Sequence, residues 1–472
     1  MKIQEANKNK IIIDKLIIKE FEAILGKDYV LTSYEERYCY SYDASPISTK
    51  EKYLPDIVLL PENAMQISKI LQIANKNNLP ITTRAAGTNH VGGCLPIYGG
   101  IVIHTSRLNK IITVDTENLI CTAQAGVPLY KIHQEVEKQG LFYPPDPCNL
   151  RVSTLGGSIA MSSGGPRGFK YGCTKDYILE LEVVLADGNI IKTGAKTVKN
   201  VTGYNLTQLF IGSEGTLGIV TEATLKLIPK PETRKVFMAF FNSIDEASNT
   251  VTSIISDKIV PSTLDLLDKS TLQTIEKFNP TGLPTDMEAA LLVEIDGSQA
   301  IIEEQANKIT TICNKYNAKY IKISTNNEEA EEIWTARRAA FGAVSRLRPN
   351  VITEDTVVPR NKIPEMIREI KKLAEKYNIL TCIMGHAGDG NIHPNFSLDL
   401  RNQDEVERFE LLVDELIEIT IKLGGTLSGE HGIGLTKLKY MPKAVDPIQT
   451  AIMKQIKTIF DPKDILNSGK MI

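Results

Sequence analysis

The sequence has few of the residues and patterns that mark several large classes of protein. It contains one tryptophan, six histidines and seven cysteines in 472 residues. The cysteines are Cys39, Cys94, Cys121, Cys148, Cys173, Cys313 and Cys382. Their number is odd, and no two of them have the C-x-x-C spacing of zinc and iron–sulfur sites. We therefore expect reduced thiols, as in a cytoplasmic protein.

Long apolar runs and an excess of one charge are also missing. Nowhere do about eighteen uncharged apolar residues follow one another, so the sequence predicts neither a membrane span nor an export signal. Lysine and arginine number 54 against 57 aspartates and glutamates, which makes the net charge −3. The basic residues form no runs, so we expect no nucleic acid partner.

Two common nucleotide-binding signatures are absent as well. No strand is followed by G-x-G-x-x-G and a helix, and G-x-x-x-x-G-K-[ST] does not occur, so neither a Rossmann site nor a P-loop is predicted. Glycine-rich turns are nevertheless concentrated in "TRAAGTNHVGG", "PPDPCNLRVSTLGGSIAMSSGG" and "KNVTGYNLTQLFIGSEGTLGIVTEATLKLIP". Glycine lets backbone N–H groups approach an anion closely, although ordinary turns use it too. The concentration favours a large phosphate-bearing cofactor.

The order of predicted helices and strands indicates an α+β protein with more than one domain. An amphipathic helix is predicted over residues 11–26, and short apolar strands alternate with helices and turns from 55 to 228. The two prolines of "IPKPETRK" at 228–235 predict a linker. The strand–helix–strand pattern that follows predicts a separate antiparallel sheet backed by helices, and charged helices are predicted at 361–377 and 403–423.

Three histidines lie in two glycine-bracketed stretches, "GHAGDGNIHP" and "SGEHGIG". Between two strands, Asp-Gly is the favoured two-residue turn, which would place His386 directly opposite His393 on one face. Cβ atoms paired in this way lie about 4.5 to 5.5 Å apart. With Glu430 they could bind a metal through two imidazoles and a carboxylate; the alternative is two polar residues in a solvated hairpin. His431 would then be a general base or a hydrogen-bonded core residue.

Taken in order, the motifs resemble those of one flavoprotein family. They are "TRAAGTNHVGG", "YPPDP", "STLGGSIAMSSGG", "KNVTGYNLTQLFIGSEGTLGIVTEATL", "EDTVVP", "GHAGDGNIHPNF", "SGEHGIG" and "FDPKDILNSGKM". From about residue 40 onward the chain resembles the FAD-linked D-2-hydroxy-acid dehydrogenases, the D-lactate dehydrogenase and glycolate oxidase group of the vanillyl-alcohol oxidase flavoproteins. The resemblance implies an α+β protein with a bipartite FAD-binding domain over 1–228, an antiparallel-sheet cap domain over 229–423, and a C-terminal helical segment over 424–472 that returns to the flavin.

The resemblance also implies that FAD is bound without a covalent bond. Relatives that attach the flavin covalently carry histidine where this chain has Thr88, and the nearby His90 is the alternative anchor. Residues 84–89 are implied to wrap the pyrophosphate. The full set implied to hold FAD is Arg84, Ala85, Ala86, Gly87, Thr88, Asn89, Pro145, Asp146, Thr154, Gly156, Gly157, Ser163, Gly164, Gly165, Gly215, Ile219, Glu430 and Asn467.

A metal-assisted oxidation is the chemistry that the family implies. The implied ligands of a divalent metal, Zn, Fe or Mn, are His386, His393 and Glu430. His431 would accept the proton of the substrate hydroxyl, and the C2 hydrogen would pass to flavin N5 as a hydride. Arg337 would bind the substrate carboxylate by bidentate pairing, whereas Arg338 fits an exposed helix face equally well.

The substrate and the electron acceptor are expected from the same resemblance. Relatives that act on 2-hydroxyglutarate have a basic residue where this chain has Thr353, so a small acid is favoured and the expected reaction is D-lactate to pyruvate. The alternatives are a glycolate dehydrogenase or oxidase subunit, a non-catalytic flavin-carrying subunit, and a metal-dependent hydrolase. The expected partner is an electron-transferring flavoprotein, which in anaerobes links lactate oxidation to NAD and ferredoxin by electron bifurcation. An iron–sulfur subunit or oxygen is the alternative acceptor.

Overall fold

The computed structural model describes residues 13–50 and 53–472. Its helices are α1 Lys15–Leu25, α2 Tyr34–Tyr38, α3 Ile47–Lys50, α4 Ala64–Asn77, α5 Leu129–Glu137, α6 Leu155–Met161, α7 Gly168–Tyr171, α8 Leu206–Phe210, α9 Ile244–Ser256, α10 Lys269–Phe278, α11 Gln299–Lys315, α12 Asn327–Val344, α13 Ile363–Lys376, α14 Gln403–Lys422, α15 Met441–Ala444 and α16 Pro447–Phe460. The helix predicted over residues 11–26 corresponds to α1, and residues 11 and 12 lie outside the described residues.

The strands are β1 Val30–Leu31, β2 Ile57–Leu59, β3 Ile81–Arg84, β4 Ile101–His104, β5 Ile111–Asp115, β6 Ile120–Gln124, β7 Leu141–Phe142, β8 Ile178–Val184, β9 Ile190–Gly194, β10 Ile219–Lys226, β11 Ile228–Pro229, β12 Thr233–Phe241, β13 Thr263–Asp268, β14 Ala289–Gly297, β15 Tyr320–Ile323, β16 Asn350–Thr353, β17 Thr356–Val357, β18 Leu380–His386 and β19 Asn391–Leu398. Every helix among the described residues is too short or too polar to cross a membrane.

The described residues pack into two units. The first unit holds the described residues up to Gly164, then Cys173–Lys230 and Glu430–Ile472, and the second holds Gly165–Gly172 and Pro231–Gly429. The chain therefore passes from the first unit to the second within the linker predicted at 228–235. The functional domain limits 1–228, 229–423 and 424–472 stay predictions.

The first unit contains a sheet of order β1-β2-β4-β3 and a second sheet of order β5-β6-β10-β8-β9. β4 pairs in parallel with both β2 and β3, and every residue of β2 is buried, as in parallel strands that are covered on both faces. On α4 the buried residues Ile67, Ile70, Leu71 and Ala74 follow the spacing of one helix face. Leu466 belongs to the same core cluster, so the C-terminal segment packs against these elements.

The second unit is built on one antiparallel sheet. Its strand order is β15-β12-β14-β13-β18-β19-β16, and β17 also pairs with β19. Phe240, Leu267 and Leu292 of the sheet share a core cluster with Leu272 of α10 and Ile333 of α12. The predicted α+β class, with an antiparallel sheet backed by helices after the linker, is confirmed.

Candidate active site

The histidine hairpin of the second unit consists of β18 and β19. His386 pairs with Asn391, and His393 pairs with Met384. The predicted two-residue turn is therefore wrong: the turn spans residues 387–390, and the register is shifted by two positions. Because side chains alternate with a period of two, this shift leaves both histidines on the same face. Their ring centroids lie 5.3 Å apart, and a ring nitrogen of one histidine lies within 4.8 Å of a ring nitrogen of the other.

A contact with another segment of the chain explains the longer turn. Gly390 has φ +91°, and its carbonyl accepts a hydrogen bond from the Val358 N–H at 3.1 Å. A Cβ on Gly390 would lie 2.0 Å from the Val358 oxygen, so only glycine permits this approach. Asp389 accepts a hydrogen bond from the Asn391 N–H at 3.1 Å. Asp389 is thus a turn residue, as the Asp-Gly dipeptide predicts. The turn begins two residues earlier than predicted, because β18 already ends at His386.

A buried aspartate connects the hairpin to Arg337. Asp265 lies on β13, opposite His386 on the adjacent strand β18. Its Oδ1 lies 2.7 Å from Nδ1 of His386, and its Oδ2 accepts a hydrogen bond from Nε of Arg337 at 2.7 Å. Burial opposes the ionisation of Asp265, but the electrostatic attraction of His386 and Arg337 and the hydrogen bonds from both outweigh it and lower the pKa of Asp265. Asp265 is therefore a carboxylate that contacts one imidazole and one guanidinium.

The residues of the hairpin fit a divalent metal. His386 and His393 are both buried, with exposed fractions of 2% and 7%. A carboxylate at Nδ1 of a histidine selects the tautomer whose Nε2 can bind a metal, and such a carboxylate commonly stands behind metal-binding histidines. Two imidazoles on one face can supply two of the three ligands in a site of two histidines and one carboxylate.

Glu430 is the first residue of the last segment of the first unit. A Cβ on Gly164 would lie 2.8 Å from Oε2 of Glu430, so the glycine makes room for this carboxylate. In the second unit, the preceding residue, Gly429, donates its N–H to Asp355 at 2.9 Å, and Ser428 Oγ donates to the same oxygen at 2.5 Å. The chain just before Glu430 is thus held by a fully buried aspartate. Metal ligation by Glu430 stays a prediction.

The predicted base, His431, lies in the first unit and stacks on His90 with ring centroids 4.8 Å apart. The N–H groups of Ile433 and Gly434, just after it, donate to the carboxylate of Glu214 at 2.7 and 2.9 Å. Burial raises the pKa of Glu214, although these two hydrogen bonds oppose the rise. Glu214 therefore holds the loop that carries His431, and no local sequence pattern predicts this role.

The loop after β3 contacts the segment that begins α6. A Cβ on Gly157 would lie 3.1 Å from the Cβ of Ala85. Thr88 Oγ1 accepts a hydrogen bond from Asn149 at 2.7 Å, and Thr154 caps α6 by accepting the Gly157 N–H at 3.3 Å. Small residues thus keep this part of the first unit free of bulky side chains, which suits a cofactor that is bound through backbone N–H groups.

The C-terminal segment joins the same region. Asn467 donates from Nδ2 to the carbonyls of Gly93 and Glu214 at 2.9 and 2.7 Å. Lys470 donates to the Gly93 carbonyl at 3.1 Å and to Oδ1 of Asn467 at 2.6 Å, and burial lowers the pKa of Lys470 to about 8. The sequence predicts no role for Lys470, although this lysine ends the glycine-containing stretch "NSGK".

The other predicted FAD residues have varied surroundings. The guanidinium of Arg84 donates to the Tyr42 carbonyl at 2.7 Å, and the Pro145 carbonyl lies 3.0 Å from Nε2 of His133. Ile219 lies in the hydrophobic core of the first unit. A Cβ on Gly215 would lie 3.9 Å from Cβ of Thr83, at the end of β3. Outside helices and strands lie Ala86, Gly87, Asn89, Asp146, Ser163, Gly164 and Gly165, the last of these in the second unit.

Two family models match the sequence. Residues 55–194 match the model of an FAD binding domain, and residues 230–471 match that of the C-terminal domain of FAD linked oxidases. The second match alone covers more than half of the chain. The chain belongs to the FAD-linked oxidases. Most residues predicted to hold FAD, from Arg84 to Gly165, lie within the match to the FAD binding domain.

Individual relatives of this FAD-linked oxidase narrow the group. It is 46% identical over 460 residues to "Glycolate oxidase subunit GlcD" of Bacillus subtilis (strain 168), which covers 98% of this chain and 97% of the relative. It is 34% identical over 463 residues to "D-lactate dehydrogenase" of Anaerostipes hadrus, with 96% and 97% covered. The structure of p-cresol methylhydroxylase with substrate bound aligns with a TM-score of 0.81 at 18% identity, covering 96% of each chain. The predicted family and the vanillyl-alcohol oxidase fold are confirmed.

Replacing Gly156 of this FAD-linked oxidase with alanine should weaken both folding and FAD retention. The added Cβ would lie 2.7 Å from Cβ of Ala125 and 3.1 Å from its carbonyl oxygen, so the start of α6 must shift. Such overpacking destabilises a protein by about 1 to 3 kcal/mol. The flavin-to-protein absorbance ratio after purification and the thermal unfolding midpoint measure the two effects.

Gly342→Ala is the matched control for this change. Gly342 lies on α12, and a Cβ there would meet nothing within 4 Å. Alanine should therefore stabilise the helix by about 0.5 to 1 kcal/mol and leave the flavin content unchanged. Full flavin content and an unchanged unfolding midpoint for Gly156→Ala would contradict the predicted close packing at α6.

Proposed function

We propose that this protein oxidises a small D-2-hydroxy acid with FAD and a divalent metal, and that D-lactate is converted to pyruvate. The observation that carries the proposal is the buried network of His386, Asp265 and Arg337 in the second unit. In this network the imidazole of His386 has a carboxylate at Nδ1, as metal-binding histidines commonly have. The guanidinium of Arg337 is a group that can bind a carboxylate. The names of the relatives, glycolate oxidase subunit and D-lactate dehydrogenase, support a 2-hydroxy acid as the substrate class.

In this proposal each side chain has a defined task. Arg337 binds the carboxylate of the acid, and His386, His393 and Glu430 hold the metal. A divalent ion at this place supplies positive charge that lowers the pKa of the substrate hydroxyl. His431 accepts the hydroxyl proton on a ring nitrogen. Bound FAD would supply the two-electron oxidant, to which the C2 hydrogen of the acid would pass as a hydride that carries both electrons.

We further propose that the electrons leave through a separate protein. An electron-transferring flavoprotein that couples the oxidation to NAD and ferredoxin is the first candidate, and an iron–sulfur subunit is the second. The word "subunit" in the name of the relative from Bacillus subtilis supports a partner chain. That relative also supports glycolate as the alternative substrate. Thr353, whose hydroxyl donates to Asn395 Oδ1 at 2.7 Å, supports a small acid because it offers no second cation.

Purified protein should be yellow, contain about one metal ion per chain, and lose its flavin absorbance when mixed anaerobically with D-lactate. The comparison acids are L-lactate, glycolate and 2-hydroxyglutarate, and we expect the fastest bleaching with D-lactate. Because the metal helps to deprotonate the substrate, dialysis against a chelator should slow bleaching, and added Zn²⁺, Mn²⁺ or Fe²⁺ should restore it.

The same experiment separates the alternatives. A flavin spectrum that no acid bleaches would identify a non-catalytic flavin-carrying subunit. A colourless protein that contains metal would favour a hydrolase. Faster bleaching by glycolate than by D-lactate would replace the proposed substrate and leave the chemistry intact.

A further inference from the structure

We infer that Asp265 is a positioning residue for both halves of substrate binding, since it orients the metal ligand His386 and the carboxylate-binding Arg337 at once. The inference rests on the proposed function. The inference goes beyond the proposed function because it assigns a task to Asp265, which is not among the predicted site residues. That task is to couple metal binding to binding of the acid.

The geometry assigns one carboxylate oxygen to each partner. Oδ1 of Asp265 lies 2.7 Å from Nδ1 of His386, and Oδ2 lies 2.7 Å from Nε of Arg337. Asp265 is fully buried, and its strand β13 lies between β14 and β18 inside the sheet. A carboxylate on a central strand has little freedom to move, so it fixes the directions of both partners.

The contacts with Asp265 engage one edge of each partner. At His386 the carboxylate accepts a hydrogen bond from Nδ1–H, so that Nε2 carries the lone pair that a metal requires. At Arg337 it takes the Nε side, and Nη1 donates to the sulfur of Met384 at 3.5 Å. We assign the terminal nitrogens of Arg337 to the substrate carboxylate, because a guanidinium can bind two carboxylates on different edges.

An asparagine cannot replace Asp265 in this arrangement. The amide has one oxygen acceptor and one NH₂ donor, whereas His386 Nδ1–H and Arg337 Nε–H are both donors. Asp265→Asn therefore keeps one contact and places two donors against each other at the second. Either one partner must turn away, or His386 must adopt the tautomer that carries its proton on Nε2 and therefore cannot bind a metal there; in every case the buried guanidinium of Arg337 loses its counterion.

Asp268→Asn is the matched control. Asp268 lies on the same strand and is also buried, but it accepts hydrogen bonds from the N–H groups of Thr271 and Ile383, each at 3.0 Å. Both variants replace a buried carboxyl group of β13 with an amide. A merely structural contribution would therefore affect both proteins in the same way.

The test measures Zn²⁺ affinity by competition with a chromophoric chelator, and KM and kcat for D-lactate with a dye as electron acceptor. For Asp265→Asn we expect Zn²⁺ affinity to fall by about 10- to 100-fold and KM to rise about tenfold or more, with full FAD content. For Asp268→Asn we expect a lower unfolding midpoint with wild-type Zn²⁺ affinity and KM.

Wild-type Zn²⁺ affinity and KM in Asp265→Asn would overturn the inference, and so would equal losses in both variants. If Asp265→Asn does not fold, Asp265→Glu keeps the charge but moves the oxygens by one methylene, and it should weaken Zn²⁺ binding and raise KM; unchanged values would overturn the inference. A wild-type protein that binds no Zn²⁺ would instead refute the proposed metal site. If His393→Ala loses Zn²⁺ while Asp265→Asn binds Zn²⁺ as the wild type does, the proposed metal site stands and only the inference about Asp265 is refuted.

Discussion

Replacing His431 with alanine is expected to stop the reduction of FAD by D-lactate while FAD and metal remain bound. In the proposed mechanism this imidazole accepts the hydroxyl proton, and loss of a general base lowers a rate by about 10²- to 10⁴-fold. The loop that carries it keeps its anchor, because Glu214 accepts the N–H groups of Ile433 and Gly434, and these do not depend on the His431 side chain. Anaerobic stopped-flow bleaching of the flavin measures the rate, and metal analysis measures what is retained.

His90→Ala is the control for His431→Ala. His90 stacks on His431, so its removal also perturbs the packing of the ring but takes away no proposed base. We expect bleaching by His90→Ala to stay within about tenfold of the wild type. Wild-type bleaching by His431→Ala would exclude it as the base. Loss of metal together with the side chain would instead make His431 a ligand.

Replacing His393 with alanine is expected to remove the metal and to slow bleaching about 10³-fold or more. The reason is that two ring nitrogens within 4.8 Å of each other supply two of three proposed ligands, and a Lewis acid contributes several kcal/mol of charge stabilisation. The metal-to-protein ratio of the purified variant is the first measurement. Bleaching by D-lactate is the second, with the flavin spectrum as the check that FAD remains.

His104→Ala is the control for His393→Ala, because His104 is a histidine that lies outside the hairpin. Burial lowers the pKa of His104 to about 4, so the substitution removes a ring that is neutral at neutral pH. We expect its metal content to equal that of the wild type. If His393→Ala retains a full complement of metal, the hairpin is the pair of polar residues considered as the alternative, and the metal lies elsewhere.

The histidine hairpin illustrates how far local sequence reaches. The Asp-Gly dipeptide between two apolar runs predicts a hairpin, and His386 and His393 do share a face of it. The predicted turn length is wrong because the Gly390 carbonyl accepts a hydrogen bond from the Val358 N–H. Val358 is remote in sequence, so no local pattern predicts this contact. The prediction that both histidines share one face is nevertheless correct, because side chains alternate with a period of two and the register differs by two positions.

Asp265 illustrates what lay beyond local sequence. It lies in the fully buried strand "TLDLLD". Aspartate is rarely buried unless it is paired, so its presence among apolar residues is the one signal of a partner that the sequence offers. Its partner His386 is 121 residues away along the chain. Nothing local says that β13 lies beside β18, since strand order follows from how helices and strands close one common core.

The sequence by itself determined the α+β class, the FAD-linked family, the change of pattern at the linker and the residue types available for chemistry. These follow from periodicity, turn residues and motif order, which are properties of short stretches. The tertiary structure decided the register of the hairpin, the pairing of Asp265 with His386 and Arg337, and the hold of Glu214 on the loop of His431. Each of these depends on contacts between segments far apart in the chain, where burial of both partners, and not local preference, selects the arrangement.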